Sequence, residues 1–332
     1  MHELAYPLLV GLIILALAFD FLNGLHDAAN SIATVVTTRL LSPINAVLFA
    51  AVGNFAAYWL VGLHVAETVG KGIINKDMVT PAVVFGALIG AMFWNVVTWL
   101  KGIPSSSSHA LIGGLLGAGI MHGGFGAVES SGTTKTLLAI FLSPMLGFAL
   151  AMLMVLLTTW LFKGFQPRRA EGVFKTLHLF SSAAYSISHG GNDAQKTMGI
   201  IAVLLYSTGH MTGEFHVPEW VVIACYLAIS LGTLSGGWRI IKTMGTKLTK
   251  LNHHTGFCAS TAGSIVVFGA SAMGIPVSTT HAITGAVIGT GAARKASAVR
   301  WGVAGRVVTA WFITIPASAA VGAVFYELTR MF

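Results

Sequence analysis

The sequence predicts an all-α polytopic membrane protein made of two inverted-topology repeats with discontinuous helices. Of its 332 residues, 55% are hydrophobic and only 9% are charged, whereas about a quarter of the residues are charged in an average soluble domain. Many apolar stretches approach or exceed the length of about 20 residues that a helix needs to cross a bilayer. Two short motifs occur once in each half. Together these observations predict about ten to twelve membrane-embedded segments.

The apolar stretches alternate with short polar connections along the whole chain. They are Ala5–Phe19, Ser42–Leu63, Pro81–Leu100, Thr136–Phe162, Trp220–Gly237, Gly256–Ile275 and Gly302–Tyr326. A soluble protein with a large helical core would need a charged outer face, which this chain lacks. We therefore expect a lipid bilayer to surround the helices.

The first motif is a nonamer at Gly102–Ala110 (GIPSSSSHA), which returns 172 positions later at Gly274–Ala282 (GIPVSTTHA). Glycines also recur at equivalent positions after both copies, and we expect these small residues to let helices pack closely. A single copy is a weak signal, but two copies indicate an internal duplication.

The second motif is acidic and occurs at Gly24–Ser31 (GLHDAANS) and, 166 positions later, at Gly190–Thr197 (GGNDAQKT). The duplication predicts a first transmembrane repeat over residues 1–165 and a second over 166–332, which together form one domain. The polar break around the first acidic motif predicts a discontinuous helix there. An odd number of spans between the copies would make the repeats inverted.

The formal net charge of +8 comes from basic residues that cluster in the connections between apolar stretches. This pattern is typical of cytoplasmic loops under the positive-inside rule, and it predicts a multi-pass protein of the plasma (inner) membrane with no nucleic-acid partner. The two cysteines, Cys225 and Cys258, give neither a disulfide framework nor metal-ligand spacing. The start Met1-His2-Glu3 lacks the basic region of a cleavable signal.

The acidic motifs place Asp27 and Asp193 within apolar sequence, where an aspartate costs about 2.5–3.5 kcal/mol on insertion scales. One interpretation is that each carboxylate caps a broken half-helix. The other is that Asp27, Asn30, Asn192 and Asp193 form an ion-coupling site, because their oxygens suit Na⁺ and a carboxylate alone can carry a proton. We expect no cofactor, and no metal other than Na⁺ at Asp27 and Asp193 if sodium is the coupling ion.

The nonamers supply hydroxyl groups at Ser105, Ser106, Ser107 and Ser108 and at Ser278, Thr279 and Thr280. Proline is well placed in the first turn of a helix, and helix N-termini bind anions. One copy alone could be an ordinary Ser/Pro loop, but two copies can converge on one small tetrahedral oxyanion.

Three histidines, His26, His109 and His281, are candidate proton relays or structural hydrogen-bond partners. Lys196 could neutralise Asp193 or attract an anion. Asp20 and Glu67 are further acids to which the sequence assigns no role, although Glu67 could simply lie at a membrane boundary.

The motifs resemble those of the inorganic phosphate transporter (PiT) family, in particular its bacterial low-affinity permeases. Residues Gly24–Asn30 and Gly190–Asp193 are similar to the acidic signature of the family. Residues Pro104–His109 and Pro276–His281 are similar to its Pro-x-Ser-x-x-His signature. The resemblance implies a homodimeric inverted-repeat transporter that binds phosphate between the hydroxyl motifs and coupling ions near the aspartates. His26 stands where many members have asparagine, which resembles the proton-coupled bacterial branch and favours H⁺ over Na⁺.

The resulting hypothesis is a secondary transporter that moves inorganic phosphate, free or as a divalent-metal complex, with a coupling cation by alternating access. A sulfate or other oxyanion permease on the same scaffold is the alternative. A passive anion channel would not need duplicated carboxylates. A membrane hydrolase using Ser106 with His109 is disfavoured because a nucleophile has no reason to be duplicated and no Gly-x-Ser-x-Gly motif occurs; we therefore expect no enzyme activity.

Overall fold

The computed structural model describes residues 6–75, 78–211 and 214–331, so the N-terminal sequence assessed above as a signal lies outside the described residues. The chain is 83% helical and has no strands in the described part, which confirms the all-α prediction. Twelve α-helices occur in these ranges: α1 Tyr6–Thr37, α2 Pro43–Leu60, α3 His64–Gly72, α4 Pro81–Lys101, α5 Ser107–Gly123, α6 Ser130–Leu161, α7 Pro167–Ser207, α8 Glu219–Ser235, α9 Trp238–Lys242, α10 His253–Ala272, α11 Thr279–Arg294 and α12 Trp301–Thr329.

Six of the described helices, α1, α2, α4, α6, α10 and α12, are long and apolar enough to cross a membrane. A seventh span is formed if α8 is joined to the segment Trp238–Lys247, which is bent by 62° against it. Helices α5 and α11 have 17 and 16 residues and are therefore shorter than a full span. The prediction of a polytopic membrane protein is confirmed.

The acidic motifs do not break their helices, so the predicted discontinuity at the first motif is wrong. Helix α1 continues through Asp27, and α7 continues through Asp193. Neither motif contains proline, and a single glycine costs a helix only about 1 kcal/mol. Gly24 faces the backbone of α8 and Gly190 the backbone of α2, so these glycines serve close helix packing. The interpretation of the aspartates as caps of half-helices is thereby excluded.

The nonamers are where the helices are interrupted, as predicted. Gly102 and Gly274 have φ of 63° and 67°, a left-handed conformation that glycine adopts without strain. Ser106 and Ser278 then cap α5 and α11. Pro104 therefore lies in the extended segment before the cap, which corrects the expectation that it occupies the first helical turn.

The two halves interlock through their last helices. Helix α5 packs on α4 and on α12 from the second half, while α11 packs on α10 and on α6 from the first half. Gly117 faces the backbone of Ala319 in α12, and Gly289 faces the backbone of Phe148 in α6. These contacts confirm that the glycines allow close approach.

The outward faces of the helices are apolar, as lipid contact requires. Large exposed side chains line α6, for example Leu138, Met145 and Leu156. Exposed tryptophans lie near helix ends, at Trp59, Trp160, Trp220, Trp238 and Trp301, where aromatic side chains mark membrane interfaces.

Candidate functional site

The two acid-bearing helices each carry a polar stripe, and the stripes face each other at the centre of the protein. On α1 the buried polar residues recur at helical spacing: Asp20, Asn23, Asp27, Asn30 and Thr34. On α7 they are Ser182, Ser186, His189, Asp193, Lys196 and Thr197. These residues are 3% exposed or less, so each polar group must find a partner inside the protein.

The contacts between the stripes run in opposite order along the two helices. Thr197 donates a hydrogen bond to Asp20 Oδ1 at 3.0 Å, whereas Thr34 and Ser182 both contact the hydroxyl of Ser260, at 3.2 and 3.4 Å. Helices α1 and α7 are therefore antiparallel.

Both predicted aspartates lie in one cluster at the middle of the stripes. Asp27, His189 and Asp193 each offer one potential ligand atom, and these three atoms all lie within 4.8 Å of one another. His26 Nδ1 lies 2.5 Å from Asp27 Oδ1, and His189 Nε2 lies 3.2 Å from Asp193 Oδ2. Such a set of carboxylate oxygens and an imidazole nitrogen can hold a proton or a cation.

Lys196 is a buried cation within this cluster. Its ammonium group donates to Asp193 Oδ1 at 2.5 Å, to Ser108 Oγ at 2.5 Å and to the carbonyl of Val277 at 2.9 Å. These three bonds use all of its donors. Lys196 therefore neutralises Asp193 and at the same time connects α7 to both nonamers.

Two neighbouring hydroxyls of α11 reach the two aspartates. Thr279 Oγ1 donates to Asp193 Oδ2 at 3.1 Å, and Thr280 Oγ1 donates to Asp27 Oδ2 at 3.4 Å. The hydroxyl motif and the carboxylate cluster are therefore a single site.

The acidic motif of each half is tied to the nonamer of the other half. Asn30 donates to Thr280 Oγ1 at 2.8 Å, and Lys196 donates to Ser108 Oγ. Asn30 and Lys196 are equivalent positions at the offset of 166, and Ser108 and Thr280 are equivalent at 172. The two contacts therefore join equivalent positions of the duplicated motifs, although the residue types at these positions differ.

The other predicted hydroxyls have different partners. Ser106 and Ser278 accept the backbone N–H of His109 and His281 at 3.2 and 3.1 Å, so these two are helix caps. Ser105 donates to Thr98 Oγ1 at 2.9 Å. Ser107 Oγ has no hydrogen-bond partner among the described residues. All seven predicted hydroxyl residues are 3% exposed or less, so this part of the site is closed to solvent.

The three predicted histidines lie in different surroundings. His26 lies between Asp27 and Thr98, with Nε2 3.1 Å from Thr98 Oγ1. His281 stacks on Trp311 with ring centroids 3.9 Å apart. Neither ring nitrogen of His109 has a hydrogen-bond partner in the described structure.

Several site residues were missed by the sequence analysis. His189 lies one turn before Asp193 on the same face of α7, and this i, i+4 spacing is a signal that could have found it. Thr98 joins His26 to Ser105 but has no motif that would distinguish it. Asn192, predicted to couple ions, points away from the cluster and donates to Ser271 at 2.8 Å.

A helical membrane protein that encloses carboxylates, a lysine and hydroxyl groups at its centre fits a membrane transporter, since polar groups inside such proteins line substrate and ion sites. Residues 23–322 match the Phosphate transporter family. The chain belongs to this family, which comprises transporters and not enzymes.

Its relatives cover nearly the whole chain. It is 61% identical over 323 residues to a "Probable low-affinity inorganic phosphate transporter" of Rhizobium meliloti, covering 97% of each chain. It is 42% identical to a protein of the same description from Bacillus subtilis, covering 96% of each. A solved structure, "The sodium-dependent phosphate transporter", matches with a TM-score of 0.90 and 27% identity over 98% of this chain and 100% of that one.

Proposed function

We propose that this protein is a secondary transporter that couples the movement of inorganic phosphate to a cation gradient, with H⁺ as the coupling ion, by alternating access. The observation that carries the proposal is the pair of hydrogen bonds from Thr279 and Thr280 to the two central carboxylates. These bonds place the proposed anion ligands directly beside negative charge.

This proximity supports obligatory coupling. Two like unit charges 4 Å apart repel by about 4 kcal/mol at an effective dielectric constant of about 20, which corresponds to roughly a thousandfold weaker binding at about 1.4 kcal/mol per tenfold change. Because Lys196 already neutralises Asp193, the charge of Asp27 is the one that a proton or cation must neutralise before phosphate binds beside it. Ser105–Ser108 and Ser278–Thr280 remain the proposed substrate-binding residues. Ser107 Oγ is without a partner among the described residues and can donate directly, whereas Thr279 and Thr280 can donate to phosphate only after they stop donating to the carboxylates, for example when a protonated carboxyl group donates to the threonine instead.

The hydrogen bonding of His189 supports a proton over Na⁺. Its Nδ1 lies 3.0 Å from Asn54 Oδ1, and the Asn54 amide nitrogen donates to Thr233, so Oδ1 is the acceptor. In a neutral His189 the proton is then on Nδ1, and Nε2 presents a lone pair to Asp193 Oδ2 at 3.2 Å. Two acceptors facing each other need a proton between them. In addition, His26 is bonded to Asp27 Oδ1 and Lys196 to Asp193 Oδ1. These two oxygens are therefore not free to coordinate Na⁺.

The antiparallel contact of α1 with α7 supports two inverted repeats over residues 1–165 and 166–332, because these helices carry the equivalent acidic motifs. We propose further that the protein forms a homodimer in the plasma (inner) membrane. A divalent-metal phosphate complex is a second form of the substrate, and it would bring its own positive charge to the two carboxylates.

The proposal is tested by radiolabelled phosphate uptake into proteoliposomes under an inward proton gradient, an inward sodium gradient or none. We expect uptake driven by protons, no inhibition by excess sulfate, and a dependence on added Mg²⁺ only if the metal complex is carried. Sodium-driven uptake would make Asp27 and Asp193 metal ligands. Inhibition by sulfate, or transport of sulfate alone, would show that the substrate is wrong, and uptake without any gradient dependence would favour a channel.

A further inference from the structure

Asp20 is a buried carboxyl group that the proposed site does not use. It lies on α1 with 0% exposure. Its Oδ1 accepts the hydrogen bond from Thr197 at 3.0 Å, but Oδ2 has no partner among the described residues. An ionised oxygen that is fully buried without a close partner is costly in a protein interior.

Asn23 presents a second unpartnered oxygen one turn further along the same helix. Its side chain is 1% exposed, and Oδ1 has no hydrogen-bond partner in the described structure. The spacing of three residues places Asn23 and Asp20 on the same face of α1, where the two side chains interact. An ionised Asp20 could only accept a hydrogen bond from the Asn23 amide nitrogen, which would leave Asn23 Oδ1 unpartnered among the described residues, whereas a protonated Asp20 can donate to Asn23 Oδ1.

The groups around Asp20 leave it without a counterion of its own. Asp193 and Lys196 face it from α7, and Cys225 and Tyr226 face it from α8. Lys196 is already bonded to Asp193. The neutral, protonated carboxyl group is therefore the form that fits these surroundings.

Asp20 lies between a cavity and the central cluster along α1. A cavity of about 690 Å³ opens between the start of α1, the end of α7 and the loop before α8, and its lining includes Ile13, Leu205 and Trp220. Ile13 precedes Asp20 by seven residues and Asp27 follows it by seven, so each lies about 10 Å away along the helix. On α7, the Thr197 that bonds Asp20 is next to the Lys196 that bonds Asp193.

We propose that Asp20, together with Asn23 and Thr197, forms a proton site between this cavity and the Asp27–His189–Asp193 cluster. The proton held on Asp20 Oδ2 passes to a central carboxylate, which leaves Asp20 ionised until a proton arrives from the cavity. This inference rests on the proton-coupled function proposed above, and it adds to it a site outside the duplicated motifs.

The first test detects the proton directly and needs no substrate. Infrared spectra of the purified transporter at neutral pH should show the carbonyl stretch of a protonated carboxylic acid. We expect Asp20→Asn to remove this band, Asp20→Glu to keep it at a shifted frequency, and Glu67→Gln, at an exposed position of α3, to leave it unchanged. An identical band in wild type and Asp20→Asn, or no band in either, would overturn the proposal.

The second test separates proton delivery from phosphate binding. Asp20→Asn, which imitates the protonated form, should keep phosphate counterflow at equal pH but lose the accumulation that a proton gradient drives. Asp27→Asn should lose both. Proton-driven accumulation that survives in Asp20→Asn would refute the site. A wild type that moves no phosphate would refute the proposed function alone, because the infrared result does not depend on transport.

Discussion

His109 and His281 meet edge to face at the centre of the protein, with ring centroids 4.6 Å apart and planes inclined by 69°. They are equivalent residues of the two nonamers, 172 positions apart in the chain. Both side chains are fully buried. This contact holds the N-termini of α5 and α11 together in the closed site.

Replacing His109 by phenylalanine tests whether this pair packs or conducts protons. An aromatic ring of similar size keeps the edge-to-face contact, which is worth about 0.5–1.5 kcal/mol, and no hydrogen bond is lost among the described residues. We expect His109→Phe to retain uptake with an unchanged pH profile, measured in proteoliposomes. His109→Ala, which removes the contact, should reduce the thermal stability. A loss of proton coupling in His109→Phe at normal stability would instead establish the relay.

The Asp193–Lys196 pair predicts a stability rescue. Removing one partner of a buried ion pair costs about 3–5 kcal/mol because the other charge is left unpaired. Asp193→Asn should therefore lower the thermal unfolding temperature in detergent, and adding Lys196→Met should restore most of it. Neither variant should accumulate phosphate, since both lack the carboxylate. A double variant that is less stable than Asp193→Asn would contradict the pairing.

Asp27 predicts a loss of transport without loss of the protein. Asp27→Asn keeps the size of the side chain and its position in the continuous helix α1, but it removes the charge that is proposed to bind the coupling ion. We expect normal amounts in the membrane by immunoblot and no phosphate uptake above background. The matched control is Glu67→Gln, an exposed carboxylate of α3, which should transport normally. Full activity of Asp27→Asn would refute its role.

Glycine packing predicts opposite results for one substitution at two positions. At Gly117 of α5 a Cβ would collide with the backbone of Ala319, whereas at Gly11 of α1 nothing lies within 4 Å. Overpacking costs about 1–3 kcal/mol, while Gly→Ala in an exposed helix gains up to about 1 kcal/mol. Thermal unfolding should therefore show Gly117→Ala destabilised and Gly11→Ala unchanged or more stable. Equal stability of the two variants would show that the helices can move apart.

The sequence predicted the parts of the fold that depend on composition and repetition. Low charge and long apolar stretches predicted the membrane helices, and the duplicated nonamers predicted where α4 and α10 end. Continuity of α1 and α7 could not be predicted in this way. Polar residues such as Asn23 and Asp27 look like a break in isolation, and only the opposite polar stripe on α7 shows that they are buried against partners.

The site was predicted in its residue types more than in its contacts. The aspartates and hydroxyl residues were predicted as parts of an ion site and an anion site, and the structure brings Asp27, Asp193, Thr279 and Thr280 into contact in one site. The contact of Lys196 with Ser108 depends on how closely α7 approaches the start of α5, which the sequence motifs do not specify. Two hydroxyls, Ser106 and Ser278, are occupied by capping, which the sequence could not distinguish from ligand binding.

The packing of α12 from the second half on α5 from the first half also has a consequence for biogenesis. Gly113 and Gly117 of α5 lie against α12, and α12 leaves the ribosome after the other described helices. Before the second half is made, the polar stripe of α1 is in the membrane without the second-half residues that form hydrogen bonds to it. A first half that is made without α12 should therefore be degraded by the quality-control proteases of the cell, and docking of α12 should protect the chain from them.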